Sequence, residues 1–342
     1  MTAARPPVVS VIVPAYNYAQ FLPDALESVL AQTFAGWECV IVDDGSTDET
    51  PQVARRYVDR DDRFVYVRQE NAGLAGARNR GLSSCSGQFI QFLDADDRLL
   101  PDKLQRHVAY LREHPETDIV YSEVAFFTSV DPDRLYPSIG RTLSQSIMGR
   151  VHGVEEAREK LQHYCIMPVP AALLRREVID QAGRFDEELS AVEDYAFWIR
   201  CAAVGCRFDY LESDAALSAV RTHAISMSRD YIRMLRGLIG AAKSYASSPA
   251  ARHWPGGEAP LIYQVAEGYD LIDRGQRWEG ARRIGRAASQ ATEPLTAWRW
   301  RVYALAATIL PRRIFLRFAS TPVPEAPFEM FRRLRRLLRR RT

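Results

Sequence analysis

The sequence predicts an α/β fold, a doubly wound and mostly parallel sheet followed by a helical C-terminal region, and three observations carry that expectation. Short aliphatic runs such as Val8 to Val13 and Cys39 to Val42 recur early in the chain, and continuous apolar character suits strands covered on both faces. Stretches with apolar residues at helical spacing separate these runs, so successive strands can pair in parallel through helical crossovers. From Tyr231 to Leu310 the spacing becomes almost wholly helical.

The elements follow in order. Val8 to Val13 opens the sheet. Phe21 to Phe34 then repeats Leu22, Leu26, Val29 and Leu30 at helical spacing, and Cys39 to Val42 completes a β-α-β unit by Asp43. A helix from about Asp48 to Asp59, a strand at Phe64 to Arg68, a helix after Gly76 and a strand at Phe89 to Leu93 continue the alternation. Pro101 can open a helix running to Glu113, because its missing N–H would be unpaired in a first turn anyway. Asp118 to Phe126 reads as one strand, whereas Ser129 to Gly153 has little periodicity and reads as a variable loop region. Past Ala171 come a strand, a short helix, a turn at Gly183, a helix from Glu193 to Val204 and strands near Phe208 and Leu217. Pro249, Pro255 to Gly257, Gly275 and Pro294 punctuate the helical part, in which Ile262 to Asp273 and Trp278 to Ser289 resemble an α-hairpin. The expected domains are residues 1–228 for the sheet, 229–311 for the helices and 312–342 for a basic amphipathic tail.

Composition excludes several classes. With 47% hydrophobic and 26% charged residues over 342 positions, the chain can bury a large core, so disorder is not expected. The formal charge of +2 does not suit a protein coated by nucleic acid, and the basicity is local. Ten arginines from Arg312 onward face only Glu325 and Glu329, a net +8 that leaves the preceding residues at −6. Five cysteines, without a C-x-x-C pair, offer neither a disulfide framework nor zinc spacing and fit a reducing cytosol. The start has no charged and then apolar leader, and no run reaches the roughly 18 apolar residues of a spanning helix, so neither secretion nor a span is expected.

In open parallel sheets the ligand crevice lies beyond the carboxyl ends of the strands, and here those ends are acidic. The first strand ends in Pro14, Ala15, Tyr16 and Asn17, the second in Asp43, Asp44, Gly45 and Ser46, and the fourth in Asp94, Ala95, Asp96 and Asp97. Carboxylates two apart in extended chain project to one side, so Asp94 and Asp96 can act together, and such hard oxygens select magnesium or manganese over zinc. The alternative is a solvated turn with Asp97 capping a short helix. In VDDGSTD, Val42 to Asp48, Ser46 or Thr47 can cap a helix without any ligand, but Asp44 is also placed to accept the N–H of a pyrimidine on which Tyr16 stacks.

NAGLAGARNRGL, Asn71 to Leu82, lets backbone approach closely at Gly73 and Gly76 before a helix whose first turn and Arg78 suit a diphosphate. It is not a Walker A loop, and no G-x-G-x-x-G follows the first strand. In GRFDEELSAVEDYAFWIR, Gly183 to Arg200, the acids Glu193 and Asp194 open a helix, where the helix dipole alone would favour them. The functional alternative makes Asp194 a base, with Trp198 one turn later either walling the site or belonging to the core. RTHAISMS, Arg221 to Ser228, gathers a cation, an imidazole and hydroxyls, and His223 is either an exposed loop residue or a metal or phosphate contact.

In this order and spacing, VSVIVPAYN (Val9 to Asn17), VDDGSTD, NAGLAGARNRG, FLDADD (Phe92 to Asp97), GRFDEELSAVED and RTHAISMS resemble family 2 of the glycosyltransferases, over residues 8–228. These are inverting enzymes with the GT-A nucleotide-diphospho-sugar fold. The resemblance implies that Pro14, Ala15 and Tyr16 contact the nucleoside, with Asn17 beside them, and that Asp44 binds the base. Asp94, with Ala95, would then lie near the ribose or metal, and Asp96 would hold the Mg2+ or Mn2+ bridging the diphosphate. Asp194 would be the catalytic base of an acidic pair with Glu193, itself in the nucleotide-sugar set, and Arg78 and His223 would contact phosphate or metal. The implied activity moves a sugar from a nucleoside-diphosphate sugar, UDP-linked, to a hydroxyl of a saccharide or lipid-linked saccharide acceptor in bacterial surface polysaccharide or glycoconjugate synthesis. A nucleotidyltransferase on a similar sheet and an inactive sugar-nucleotide-binding scaffold are the competing classes.

Phe328 to Arg341 places Phe331, Leu334 and Leu338 on one side of a helix and arginines over most of the rest, so the tail can lie on an anionic membrane surface. Trp298, Trp300 and Val302 to Leu310 would add an interfacial anchor; the alternative is a helix packed on its own domain or a disordered tail. The expected location is cytoplasmic, peripheral on the inner face of the cell membrane. Nucleic acid is not an expected partner, because the tail has no aromatic stacking pattern or recognition module.

Overall fold

The computed structural model describes residues 6–136, 149–213, 217–222, 231–254, 259–292, 294–310 and 315. The chain divides into two compact units, residues 1–161 with 165–224 and residues 162–164 with 225–342. The first begins with β1 (Val9–Ala15), α1 (Leu22–Leu30), β2 (Trp37–Asp43), α2 (Thr50–Arg60), β3 (Phe64–Arg68), α3 (Gly73–Ser84) and β4 (Phe89–Phe92). It continues through β5 (Arg98–Leu99), α4 (Lys103–Glu113), β6 (Ile119–Tyr121), β7 (Val124–Thr128), β8 (His152–Gly153), α5 (Val154–Leu161), β9 (Ala172–Arg175), α6 (Glu177–Ala182), α7 (Glu193–Ala203), β10 (Phe208–Tyr210) and β11 (Ser218–Thr222).

Eight strands form the main sheet in the order β3-β2-β1-β4-β9-β6-β10-β8, and β5-β11-β7 form a second, smaller one. All seven residues of β1 are buried, as a strand covered on both faces requires. β1 pairs in parallel with β2 and β4, with Ala15 opposite Asp43 and Ile12 opposite Phe92, so three acidic or polar strand ends share one edge. β9 runs antiparallel between β4 and β6, and β8 antiparallel to β10, which leaves the sheet mostly and not wholly parallel.

Three boundaries differ from the sequence expectation. Asp118 to Phe126 is two strands: β6 stays in the main sheet while β7 leaves to pair with β11, and fully buried Ser122 between them meets the His107 ring at 3.1 Å. The second helix starts at Thr50, and its first N–H is taken by Asp48 at 2.9 Å; neither Ser46 nor Thr47 is the cap. The third helix starts at Gly73, three residues before Gly76, because the Asp44 carboxylate accepts the N–H groups that open it.

The second unit contains α8 (Tyr231–Ser247), α9 (Leu261–Asp273), α10 (Arg277–Gln290) and α11 (Pro294–Ile309). The expected α-hairpin is α9 and α10, joined by a turn at Gly275. The two helices cross backbone to backbone: a Cβ on Gly280 would collide with the Gly268 carbonyl oxygen and sit 2.6 Å from Ile272 Cγ1. Val265, Tyr269, Ile272, Ile284, Trp300, Tyr303 and Phe315 fill the core of this unit. Trp300 is therefore a core residue and not the expected interfacial anchor. No helix among the described residues is long and apolar enough to cross a membrane.

Candidate active site

The site is built where β1, β2 and β4 end. The Asp44 N–H donates to the Ala15 carbonyl at 2.9 Å, which locks the first two strand ends together. The paired acids then separate in role. Asp43 is fully buried and structural: one oxygen accepts the Ser46 N–H at 2.8 Å, the other the Tyr66 hydroxyl at 2.6 Å. Asp44 accepts from Gln69 Nε2 at 2.7 Å, the Ala72 N–H at 2.8 Å and the Gly73 N–H at 2.9 Å. A carboxylate offers about four lone-pair positions, so three donors leave Asp44 one further acceptor site. Gly45, at φ +80°, lets the chain turn back between them.

Tyr16 is half-exposed and available for stacking, whereas Pro14 and Ala15 are buried and would meet a ligand through backbone. Asn17, exposed next to Tyr16, has a structural task in the loop. At φ +56° its Oδ1 accepts the Thr47 N–H at 2.8 Å and its own N–H donates to Ser46 Oγ at 3.0 Å, so it fastens the VDDGSTD loop to β1.

At the end of β4 the acids converge for a different reason from the one the sequence suggested. The segment is a turn and not extended chain, closed by the Asp97 N–H on the Asp94 carbonyl at 3.0 Å. Asp94 and Asp96 are partly exposed; Asp97 and Ala95 are buried. Burial, then Asp96 and Asp94, pushes the Asp97 carboxyl well above the usual range. Burial, with Asp96, Asp94 and Asp97, pushes the Tyr18 phenol up to about 12. Among the described residues no three His, Cys, Asp or Glu side chains converge on a metal position, so the turn would supply Asp96 and Asp94 alone, the one or two protein carboxylates that a magnesium-type ion takes beside phosphate and water.

Arg221, nearly buried on β11, clamps that turn. Its N–H donates to Asp97 Oδ1 at 2.8 Å, its Nε to the Asp96 carbonyl at 2.9 Å, and its guanidinium pairs with Asp24 between the rings of Phe21 and Phe127. His223 lies outside the described residues.

The third component comes from α7. Arg78 is 1% exposed and spans two acids: one guanidinium nitrogen donates to Glu193 Oε1 at 2.6 Å, the other to Asp94 Oδ1 at 2.7 Å. It is thus a buried brace and not a surface phosphate contact, and Glu193, 4% exposed, is its counter-ion more than a sugar ligand. The brace ties the β4 turn to the start of α7. Asp194, next in sequence, is partly exposed and accepts the Tyr195 N–H at 2.7 Å. Burial first, then Glu193, pushes its carboxyl up to about 7, against the opposing pull of Arg78 and Tyr195. Val192, just before the pair, is held at φ +57°, a strained conformation for a β-branched residue.

Trp198 is fully buried beside Phe197 and Phe208, which makes it core and not a wall. Sequence reasoning missed Tyr18, the clamping role of Arg221 and Cys165, whose thiol is raised by burial and by Asp194 and Glu193. Of the three, only Arg221 lies in a quoted motif; Tyr18 follows the first one directly, and Cys165 is near none.

The sequence profile of Glycosyl transferase family 2 matches residues 10–183, half of the chain. The chain belongs to glycosyltransferase family 2. This family 2 protein is 33% identical over 242 residues to the succinoglycan biosynthesis protein ExoU of Rhizobium meliloti, a match covering 69% of each chain. It spans 58% of the length of the uncharacterized Rickettsia glycosyltransferases that it matches at 30–31% identity. Among solved structures, residues 1–349 of S. aureus TarS in complex with UDP align with TM-score 0.61 and 21% identity, over 90% of both chains. The mannosyltransferase PcManGT of Pyrobaculum calidifontis, in complex with GDP-Man and Mn2+, aligns with TM-score 0.56 and 21% identity, over 93% of this chain and 85% of that one. At such identities the structural likeness carries the fold, which is GT-A.

Proposed function

We propose that this family 2 protein transfers a sugar, with inversion, from a nucleoside-diphosphate sugar to an acceptor hydroxyl, and that residues 1–228 carry the reaction. The observation behind this is the Arg78 brace, which holds the acidic turn after β4 against the Glu193–Asp194 pair. An acceptor hydroxyl is a poor nucleophile at neutral pH, and a carboxylate whose proton affinity sits near 7 can take its proton as it attacks the anomeric carbon. Asp194 has that task. A single displacement inverts the centre and needs no carboxylate nucleophile. Asp44 and Tyr16 receive the base, with Pro14 and Ala15 along its edge. Asp96, with Asp94 beside it, would hold a magnesium or manganese ion, which supplies positive charge to the departing diphosphate.

UDP is the donor nucleotide we favour, because TarS was solved with it. PcManGT, solved with GDP-Man and Mn2+, supports the metal and keeps guanine as a test arm. The likeness to ExoU supports an acceptor of the growing-polysaccharide kind, free or lipid-linked, and the basic tail supports a site of action at an anionic membrane surface.

The test separates binding from chemistry. Asp194→Asn should bind nucleotide-sugar and manganese as before and lose transfer by about two to four orders of magnitude. Asp96→Ala should lose metal-dependent donor affinity in calorimetry. Near-normal turnover of the first variant, or release of pyrophosphate from a nucleoside triphosphate in place of nucleoside diphosphate from a sugar donor, would reject the proposal.

A further inference from the structure

The helical unit carries a groove of about 450 Å3 that the transfer chemistry does not use, within the size range of small-molecule sites. The described lining residues come from three helices: Ile239 and Lys243 on α8, Glu267, Asp270 and Leu271 on α9, and Glu279, Arg282, Arg283 and Arg286 on α10. Four cations meet three anions there, and the pairing is uneven. Lys243 reaches Asp270 at 3.0 Å, Arg274 takes the other Asp270 oxygen at 2.9 Å, and Arg283 pairs with Glu267. The two α9 carboxylates of the lining, Glu267 and Asp270, are thereby occupied, and the Nε of Arg283 remains buried without an acceptor among the described residues.

Arg282 and Arg286 are exposed and four residues apart on one helix face. Like charges at this spacing destabilise a helix, and an oxyanion between them removes the repulsion while accepting from two guanidinium forks. The rest of the lining narrows the ligand. Among the described residues it contains no aromatic ring on which a base could stack, which argues against a nucleotide. Among the described lining residues Ile239 and Leu271 are the apolar ones, too little for an acyl chain but enough for one face of a pyranose. Glu279 would repel a bare polyanion and accept a hydroxyl from a sugar.

We infer that this groove binds an anionic saccharide, its oxyanion on Arg282 and Arg286 and its hydroxyls on the acidic wall. The site is separate in its residues from the donor site, and its test does not depend on transfer. Calorimetry on the full chain would use the 6-phosphates of glucose, galactose and mannose, with glucuronate, neutral glucose and inorganic phosphate alongside. At least one hexose phosphate or glucuronate should bind, at least tenfold tighter than glucose or phosphate, and the tighter of the two classes identifies the oxyanion as phosphate or carboxylate. Arg282→Ala with Arg286→Ala, both at exposed helix positions where alanine is a good helix former, should weaken that binding at least tenfold. Asp96→Ala, aimed at the donor site, should leave it unchanged. Absence of binding across the panel, equal binding of inorganic phosphate, an unaffected double variant, or loss in Asp96→Ala would each overturn the inference.

Discussion

A carboxylate is the more effective general base when its pKa lies near the working pH, and α7 favours that by placing Asp194 beside Glu193 in a partly buried position. Arg78 is committed to Glu193 and Asp94, so Asp194 feels burial and a like charge more than it feels the guanidinium. Transfer activity should therefore rise with pH through about 7, as the base ionises, and Asp194→Asn should abolish that limb of the pH–rate curve. Stability moves the other way. The folded carboxyl keeps its proton up to about 7 while the unfolded one loses it near the ordinary 3.8. Stability falls as pH rises through that window, and Asp194→Asn should show a smaller drop in Tm between about pH 5 and about pH 8 than the parent. Arg78→Ala leaves two buried or half-buried carboxylates without their cation. A loss of about 3–5 kcal/mol in denaturant unfolding is expected, the usual cost of removing one partner of a buried pair.

At the level of elements, side chains set the helix starts as much as periodicity does. Asp48 opens α2 and Asp44 opens α3, so the acidic loop after β2 is held by the elements it starts. In the second unit, close approach at Gly268 and Gly280 lets α9 and α10 pack backbone against backbone. A methyl at position 280 has no space, so Gly280→Ala should destabilise the protein by about 1–3 kcal/mol in chemical denaturation, although alanine is the better helix former. At the turn end of the hairpin, Arg277 donates to the carbonyls of Ala307, Thr308 and Leu310, closing the C-terminus of α11.

Across the whole molecule, charge is segregated: an acidic strand-end site on a chain whose last 31 residues carry a net +8. Trp300 is in the core, whereas Leu305 and Ile309 of the expected anchor are exposed, so membrane contact can come from α11 as well as from that tail, which lies outside the described residues apart from Phe315. Ending the chain at Leu310 should reduce flotation with anionic liposomes while leaving flotation with neutral ones at background, and added salt should weaken the full chain's binding. Equal flotation of both forms would remove the tail from the proposal.

The sequence by itself determined the alternation of strands and helices, the acidic strand ends and the family, because local periodicity and ordered motifs depend on residues close together in the chain. It was silent on which carboxylates are open and which are consumed. Asp43, Asn17, Glu193 and Arg78 all lie in motifs that read as ligands, yet the fold gives each a protein partner: Ser46 for Asp43, Thr47 for Asn17, and Glu193 and Asp94 for Arg78. Those partners are brought together from as far apart as residues 78 and 193, and burial and shared counter-ions exist only once distant segments have met. Tertiary structure alone therefore decided that burial and the neighbouring Glu193 raise the Asp194 carboxyl, and that the helical unit has a charged groove of its own.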